Sequence, residues 1–359
     1  MVEVSLFPRR FEGEANRHDS EISGVRIRQS KTAAVAYRCL IALTGLVIAP
    51  FVSGAQGSQP SQIGSGDGYT LRVDANMVIL SATVLDRHNT PVSGLDKGDF
   101  QVHENGKLQQ IMQFSHDDIP VTAGILVDNS GSMGPKRDDV IAAAMAFARS
   151  SNPQDQMFVV NFNDSVSFGL PPGEPFTDRQ EELQLALSRI KTIGQTSLYD
   201  GIVAALDHVH QGSRDKKVLV LISDGGDNVS KHSLAQVLGM AKQTTAIIYA
   251  IGIFDEQDGD QNPGVLRRLA GETGGEAFFP ESSKEVPTIC EEIAHDIRSQ
   301  YTLAYVPAIA ADDGSYRTIE VRASAHGRGR LSVRTRAGYS VPLTMPAGTI
   351  EPIVHDSRN

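Results

Sequence analysis

The chain has 359 residues, more than one ordinary domain needs, and it is 40% hydrophobic against 21% charged, the balance of a protein that buries a sizeable core. Its formal net charge of -10 excludes the basic footprint of a nucleic-acid binder, so no nucleic-acid partner is expected. Two cysteines, Cys39 and Cys290, exclude a disulfide framework.

Arg26, Arg28, Lys31 and Arg38 lead into an apolar run from Cys39 to Val52. That run is short for a membrane span, which takes about 20 apolar residues. Small Ser53 and Ala55 follow at the positions a signal peptidase reads. Residues 1–55 therefore read as a signal peptide with its basic lead-in, and the protein as exported to the periplasm, the cell envelope or the medium. The alternative is an uncleaved anchor, the one case in which the membrane would be a partner. Residues 56–68, built from Gly, Ser, Gln and Pro, read as a flexible linker.

An N-terminal β segment is expected over 69–119. Met77 to Asp86 alternates as a strand, and two further strands flank the turn signal Glu104-Asn105-Gly106. From about Pro120 the period changes. Apolar runs over 122–128, 156–163, 216–223 and 244–253 read as strands buried on both faces. They alternate with helical patterns over 138–150, 179–190, 197–210, 233–243 and 263–274, then a short strand over 276–280 and a closing helix over 284–300. That alternation predicts an α/β domain over 120–300, an open, doubly wound, mainly parallel sheet. Period two returns over 301–343 as three strands, 301–307, 316–324 and 329–342. Neither strand set fills a core alone, so the two together are expected to form one small β-sandwich in which the α/β domain is inserted or which flanks it, the alternative being two separate small sheets. Residues 344–359 show no period and read as a flexible tail.

Ligands of open parallel sheets sit at the carboxyl ends of the strands. The first α/β strand ends at Asp128, with Ser130 and Ser132 two and four residues on and Gly131 letting the loop curl. The strand over 216–223 delivers Asp224 to the same edge, followed by Gly225-Gly226. Thr196 lies in a loop that opens a helix. Two carboxylates and three hydroxyls make a hard oxygen set, suited to Mg²⁺, with Mn²⁺ or Ca²⁺ as substitutes.

The Asp128-x-Ser130-x-Ser132 pattern, Thr196 and the Asp224-Gly225 pair resemble the von Willebrand factor type A (VWA) domain with its metal-ion-dependent adhesion site, over roughly 120–300. The stretches Val84 to Gly106, Ser223 to Asn228 and Arg334 to Tyr339 are similar to VWA-related proteins of Acidobacteria. The resemblance implies a Rossmann-like fold. It also implies that Ser130, Ser132 and Thr196 ligate the ion, with Asp128 and Asp224 acting directly or through water. An acidic residue of a partner protein would fill the open position, in an adhesion or scaffold role rather than catalysis.

Rival readings are blander. Asp128, Ser130 and Ser132 could form a helix-capping loop. A metal-assisted hydrolase would need a general base beside the ion, and a structural envelope protein would use its metal for folding alone. No H-E-x-x-H or G-x-S-x-G motif is present, and His208 and His210 read as helix-surface residues. The acidic loop over 255–262 lacks the distal Glu of an EF-hand and reads as solvated, as do Asp227 and Asn228. Tyr199, Phe278, Phe279 and Cys290 read as packing residues, and Asn129 takes no role.

Overall fold

The computed structural model describes residues 77–189, 191–254, 261–308 and 314–341, all within the unit Leu71–Asn359. The expected signal, linker and tail lie outside the described residues, as does most of the acidic loop. The first strands are β1 (Val78–Leu85), β2 (Phe100–Glu104), β3 (Lys107–Gln109) and β4 (Ile111–Ser115). Asn105 and Gly106 turn β2 into β3 with φ of 48° and 76°, the paired left-handed positions that Asn-Gly accepts at low cost. Two strands are expected around this turn and three form, because the return arm breaks at Gln110 and its halves join different sheets.

The α/β part follows as β5 (Val121–Asp128), α1 (Arg137–Ser150), β6 (Gln156–Phe162), β7 (Val166–Phe168), α2 (Gln180–Ser188), α3 (Leu198–Val209), β8 (Lys216–Ser223), α4 (Leu234–Gln243), β9 (Ile247–Gly252), α5 (Pro263–Thr273), β10 (Ala277–Phe278) and α6 (Val286–Arg298). Six strands make the central sheet in the order β10-β9-β8-β5-β6-β7. All its pairings are parallel except that of β7, an edge strand too short to show a period. Every residue of β5 and β9 is buried, which is why these segments read as unbroken apolar runs. The helices end where local chemistry dictates. Ser233 and Gln236 form a capping box ahead of α4. Asn262 caps α5, Pro263 sits in its first turn, and Gly274 closes it at φ 87°. In α6, Val286, Cys290, Ile293, Ala294 and Ile297 recur at three- and four-residue spacing and face the core.

The chain finishes with β11 (Tyr301–Tyr305), β12 (Tyr316–Ala323), β13 (Ser332–Arg334) and β14 (Gly338–Ser340). These combine with the first strands in two antiparallel four-stranded sheets, β13-β1-β11-β4 and β14-β12-β2-β3. Each sheet thus joins both ends of the described chain, and Leu80, Phe100, Val102, Tyr301, Leu303 and Tyr305 share one core between them. This is the small sandwich expected from the N- and C-terminal strands. The single strand expected over 329–342 is two strands in different sheets. Side-chain anchors mark the break: Arg334, the last residue of β13, pairs with Asp296 and Glu276, and Arg336, between the strands, donates to the Gly338 and Lys242 carbonyls.

Candidate metal centre

β5 and β8 run side by side and parallel, with Val127 opposite Ile222, so Asp128 and Ser223 reach the sheet edge together. Their side chains meet there: Ser223 Oγ donates to Asp128 Oδ2 at 2.6 Å. The other oxygen, Asp128 Oδ1, accepts from the Ser130 N–H at 2.9 Å. One residue beyond β8, Asp224 Oδ1 accepts from the Gly226 N–H at 3.0 Å, and Asp224 Oδ2 accepts from Ser132 Oγ at 2.7 Å. The Ser130 and Ser132 hydroxyls lie 3.1 Å apart.

Thr196 comes from the loop ahead of α3. That loop docks on the first through Gly131 N–H donating to the Gly194 carbonyl at 3.0 Å. On its far side, the Thr196 carbonyl accepts from the Asn228 N–H at 2.9 Å and the Val229 N–H at 3.2 Å. The sharp bend needs glycine at 194. Its φ is +88°, and a Cβ there would stand 2.0 Å from Asp164 Oδ2.

Ser130, Ser132, Thr196 and Asp224 line one cleft of about 260 Å³, together with Gly194, Gln195, Gly226 and Asn228. Asp128, only 2% exposed, does not line it and stands behind Ser130. Four of the five residues singled out in the sequence therefore share a cleft, and the fifth backs it. Burial, helped by the Asp224 charge, pushes the Asp128 carboxyl up to about 6 against the pull of the Ser130 and Ser223 hydrogen bonds. Asp224 is likewise 2% exposed. Among the described residues, no Lys, Arg or His forms an ion pair with either carboxylate. Among the described residues, no three His, Cys, Asp or Glu side chains gather in a metal-holding group, and the donor set at this cleft is hydroxyl-rich.

The structure gives roles to residues that the sequence left without one. Asn129 is buried; its Nδ2 donates to Asn161 Oδ1 at 3.0 Å and to the Val127 carbonyl at 3.2 Å. Its Oδ1 accepts from Arg137 Nη1 at 2.9 Å, and the same nitrogen donates to Thr192 Oγ1 at 2.7 Å. Asp227 is not a free turn residue: its Oδ1 accepts from the Tyr199 N–H at 3.1 Å and from Ser230 Oγ at 2.5 Å, anchoring the start of α3. His208 is more engaged than a surface position implies. Its ring centroid lies 4.6 Å from those of Phe158 and Phe168, and Nε2 lies 2.8 Å from the Pro175 carbonyl oxygen. His210 is exposed, as expected. Spacing alone carried no signal for these contacts. Only the polar identity of Asn129 beside Asp128 pointed that way.

Residues 124–292 match the family profile described as the von Willebrand factor type A domain. No curated protein matches the chain. Among solved structures, a von Willebrand factor type A protein of Catenulispora acidiphila is similar at 14% identity and TM-score 0.46, covering 68% of this chain and 72% of that one. Proximal thread matrix protein 1 from the mussel byssus, solved with a zinc-occupied MIDAS motif, is 18% identical at TM-score 0.45; the match covers 54% of this chain and half of that one, 50%. The vWF domain of a type V pili tip protein from Porphyromonas gingivalis is 14% identical at TM-score 0.43, covering 50% of this chain and 95% of that domain. With the strand order, the buried parallel core and the family match in agreement, residues 124–292 of this chain have the von Willebrand factor type A fold.

Proposed function

We propose that this is an exported protein that holds a divalent cation at Ser130, Ser132 and Thr196, with Asp128 and Asp224 supplying charge, and uses that cation to bind protein partners. One observation carries the reading: two buried carboxylates, neither ion-paired among the described residues, stand in and behind a cleft that three hydroxyls line. Two buried charges of like sign are costly, and a divalent cation offsets both. The hydroxyl and carboxylate spacings of 3.1 and 2.7 Å suit a small octahedral ion. Adjacent donors of a Mg²⁺ shell, with bonds of about 2.1 Å, stand about 3 Å apart. Mg²⁺ is therefore the preferred ion, ahead of Mn²⁺ and Ca²⁺.

The ion supplies a Lewis-acidic coordination position. Two carboxylates neutralise its charge, while neutral hydroxyls donate weakly and leave it able to take an acidic side chain from a partner. The residues lining the cleft include no histidine or lysine to serve as a general base, so the reading assigns no reaction. A zinc-occupied site of this type in the mussel byssus protein and a similar fold at a pilus tip are in keeping with an adhesion or scaffold role.

Pull-downs from envelope extract, run with Mg²⁺ and with EDTA, test the binding role. Partners that are retained with Mg²⁺ and released by EDTA are expected; an identical set in both conditions contradicts it. Export is tested by N-terminal sequencing of the protein recovered from the periplasm or medium, with a start at Gln56 expected.

A further inference from the structure

The central sheet ends at β7, where Val166, Ser167 and Phe168 pair with Phe162, Asn161 and Val160 of β6. The Asn163 N–H donates to the Ser165 carbonyl at 3.1 Å and the Gly169 N–H to the Val159 carbonyl at 2.9 Å, which sets the phase of that ladder. In this phase Ser167 bonds to β6, while the N–H and C=O groups of Val166 and Phe168 point away from it. Those outward groups take no partner among the described residues. No lysine, proline or bulge guards the edge between Ser165 and Gly169. Phe168 is 47% exposed there, its ring centroid 4.6 Å from that of His208 on α3. Charges of both signs flank the strand. Arg189 donates to the Gly169 carbonyl, and Asp164 accepts from the Gln195 N–H; both residues are exposed and neither is in an ion pair.

The geometry points to a second copy of this chain as the occupant of that edge, β7 pairing antiparallel with its own copy about a twofold axis at Ser167. In that register Val166 of each copy faces Phe168 of the other, and every outward N–H meets an outward C=O. Val166 and Phe168 lie on the same face of the sheet, so each exposed phenyl ring gains an aliphatic neighbour. Gly169 faces Ser165 of the other copy, which brings Arg189 towards Asp164 there, twice over by symmetry. Because β7 runs against β6, the two central sheets join side by side with their β6 strands antiparallel. The two cation clefts then open in opposite directions, an arrangement that lets one dimer bridge two partners. The pairing itself does not rest on the cation reading.

Sedimentation velocity of the full chain over about 1–200 μM tests the pairing. A shift from monomer to dimer with concentration, alike in Mg²⁺ and in EDTA, is expected. A monomer throughout overturns the proposal, and so does a dimer seen only in Mg²⁺, which would mean copies joined through their clefts. Phe168→Pro removes an outward N–H and leaves the ladder to β6 intact, and Phe168→Lys places a charge on the edge. Each is expected to weaken the dimer at least about tenfold, with the fold checked by circular dichroism. Wild-type association in the folded variants contradicts the pairing. Cysteine crosslinking reads the register in a Cys39→Ser background. Ser167→Cys is expected to form an intermolecular disulfide under mild oxidation, since it would meet its own copy in a non-hydrogen-bonded pair about 4.5 Å apart. Leu108→Cys, exposed on β3, is expected not to. Equal crosslinking of the two overturns the register.

Discussion

Ser132 Oγ donates to Asp224 Oδ2 across 2.7 Å, joining the loop after β5 to the end of β8 over 92 residues of sequence. A hydroxyl committed to a carboxylate in this way is held where its free lone pairs face the cleft. Ser132→Ala is expected to weaken Mg²⁺ binding at least about tenfold, the scale on which losing a supporting contact acts at metal sites. Metal-free stability should fall by only about 1 kcal/mol, the net worth of one hydrogen bond. Calorimetric titration and a urea melt in EDTA measure the two. A stability loss with unchanged Mg²⁺ affinity would favour a purely local role for the loop.

The Asn129–Arg137 contact fixes the same loop from behind. Arg137 Nη1 reaches both Asn129 Oδ1 and Thr192 Oγ1, and Nη2 donates to the Ser188 carbonyl at 3.2 Å. Arg137→Ala should cost about 2–3 kcal/mol in a denaturant melt, because it strands the buried Asn129 acceptor and the half-buried Thr192 hydroxyl on two loops at once. It should also weaken Mg²⁺ binding without removing any expected ligand.

These two contacts mark the line between what the sequence discloses and what it does not. The parallel sheet was legible because strands buried on both faces, such as β5 and β9, leave unbroken apolar runs. The candidate site was legible because its residues fall at strand and loop ends, where the order of elements alone brings them to one edge. Arg137 gave no such signal, since its acceptors lie 8 and 55 residues away on other loops. The division of 329–342 into β13 and β14 was hidden for a similar reason. Asp296 on α6 and Glu276 before β10 hold Arg334 at the end of β13, contacts distant in sequence that no local pattern shows.

Asp155 carries a pH dependence. Burial pushes its carboxyl up to about 6, although it accepts from the Val121 N–H at 2.7 Å and the Asn152 N–H at 3.0 Å. A carboxyl raised in the fold favours the protonated native state. Its contribution is therefore greatest below the unfolded value near 4 and is lost as the pH rises towards 6. Asp155→Asn stays neutral throughout. Relative to wild type it should gain about 1–3 kcal/mol between about pH 4.5 and pH 7, read from urea midpoints. A constant difference across that range would contradict this.

Cys290 is fully buried on α6, and burial pushes its thiol up to about 12. In a Cys39→Ser background it should resist Ellman's reagent in the native protein and react promptly in denaturant. Prompt native labelling would mean that α6 leaves the core more readily than its packing implies.

The central claim is that five oxygen-bearing side chains, Asp128, Ser130, Ser132, Thr196 and Asp224, make a divalent cation site. Titration of Mg²⁺, and of Mn²⁺ in parallel, into wild type and Asp128→Ala tests it most directly, with circular dichroism to establish that both are folded. Binding of about one ion per wild-type chain and its loss in the variant is the predicted result. Equal binding by the two proteins, or none by either, would contradict the account.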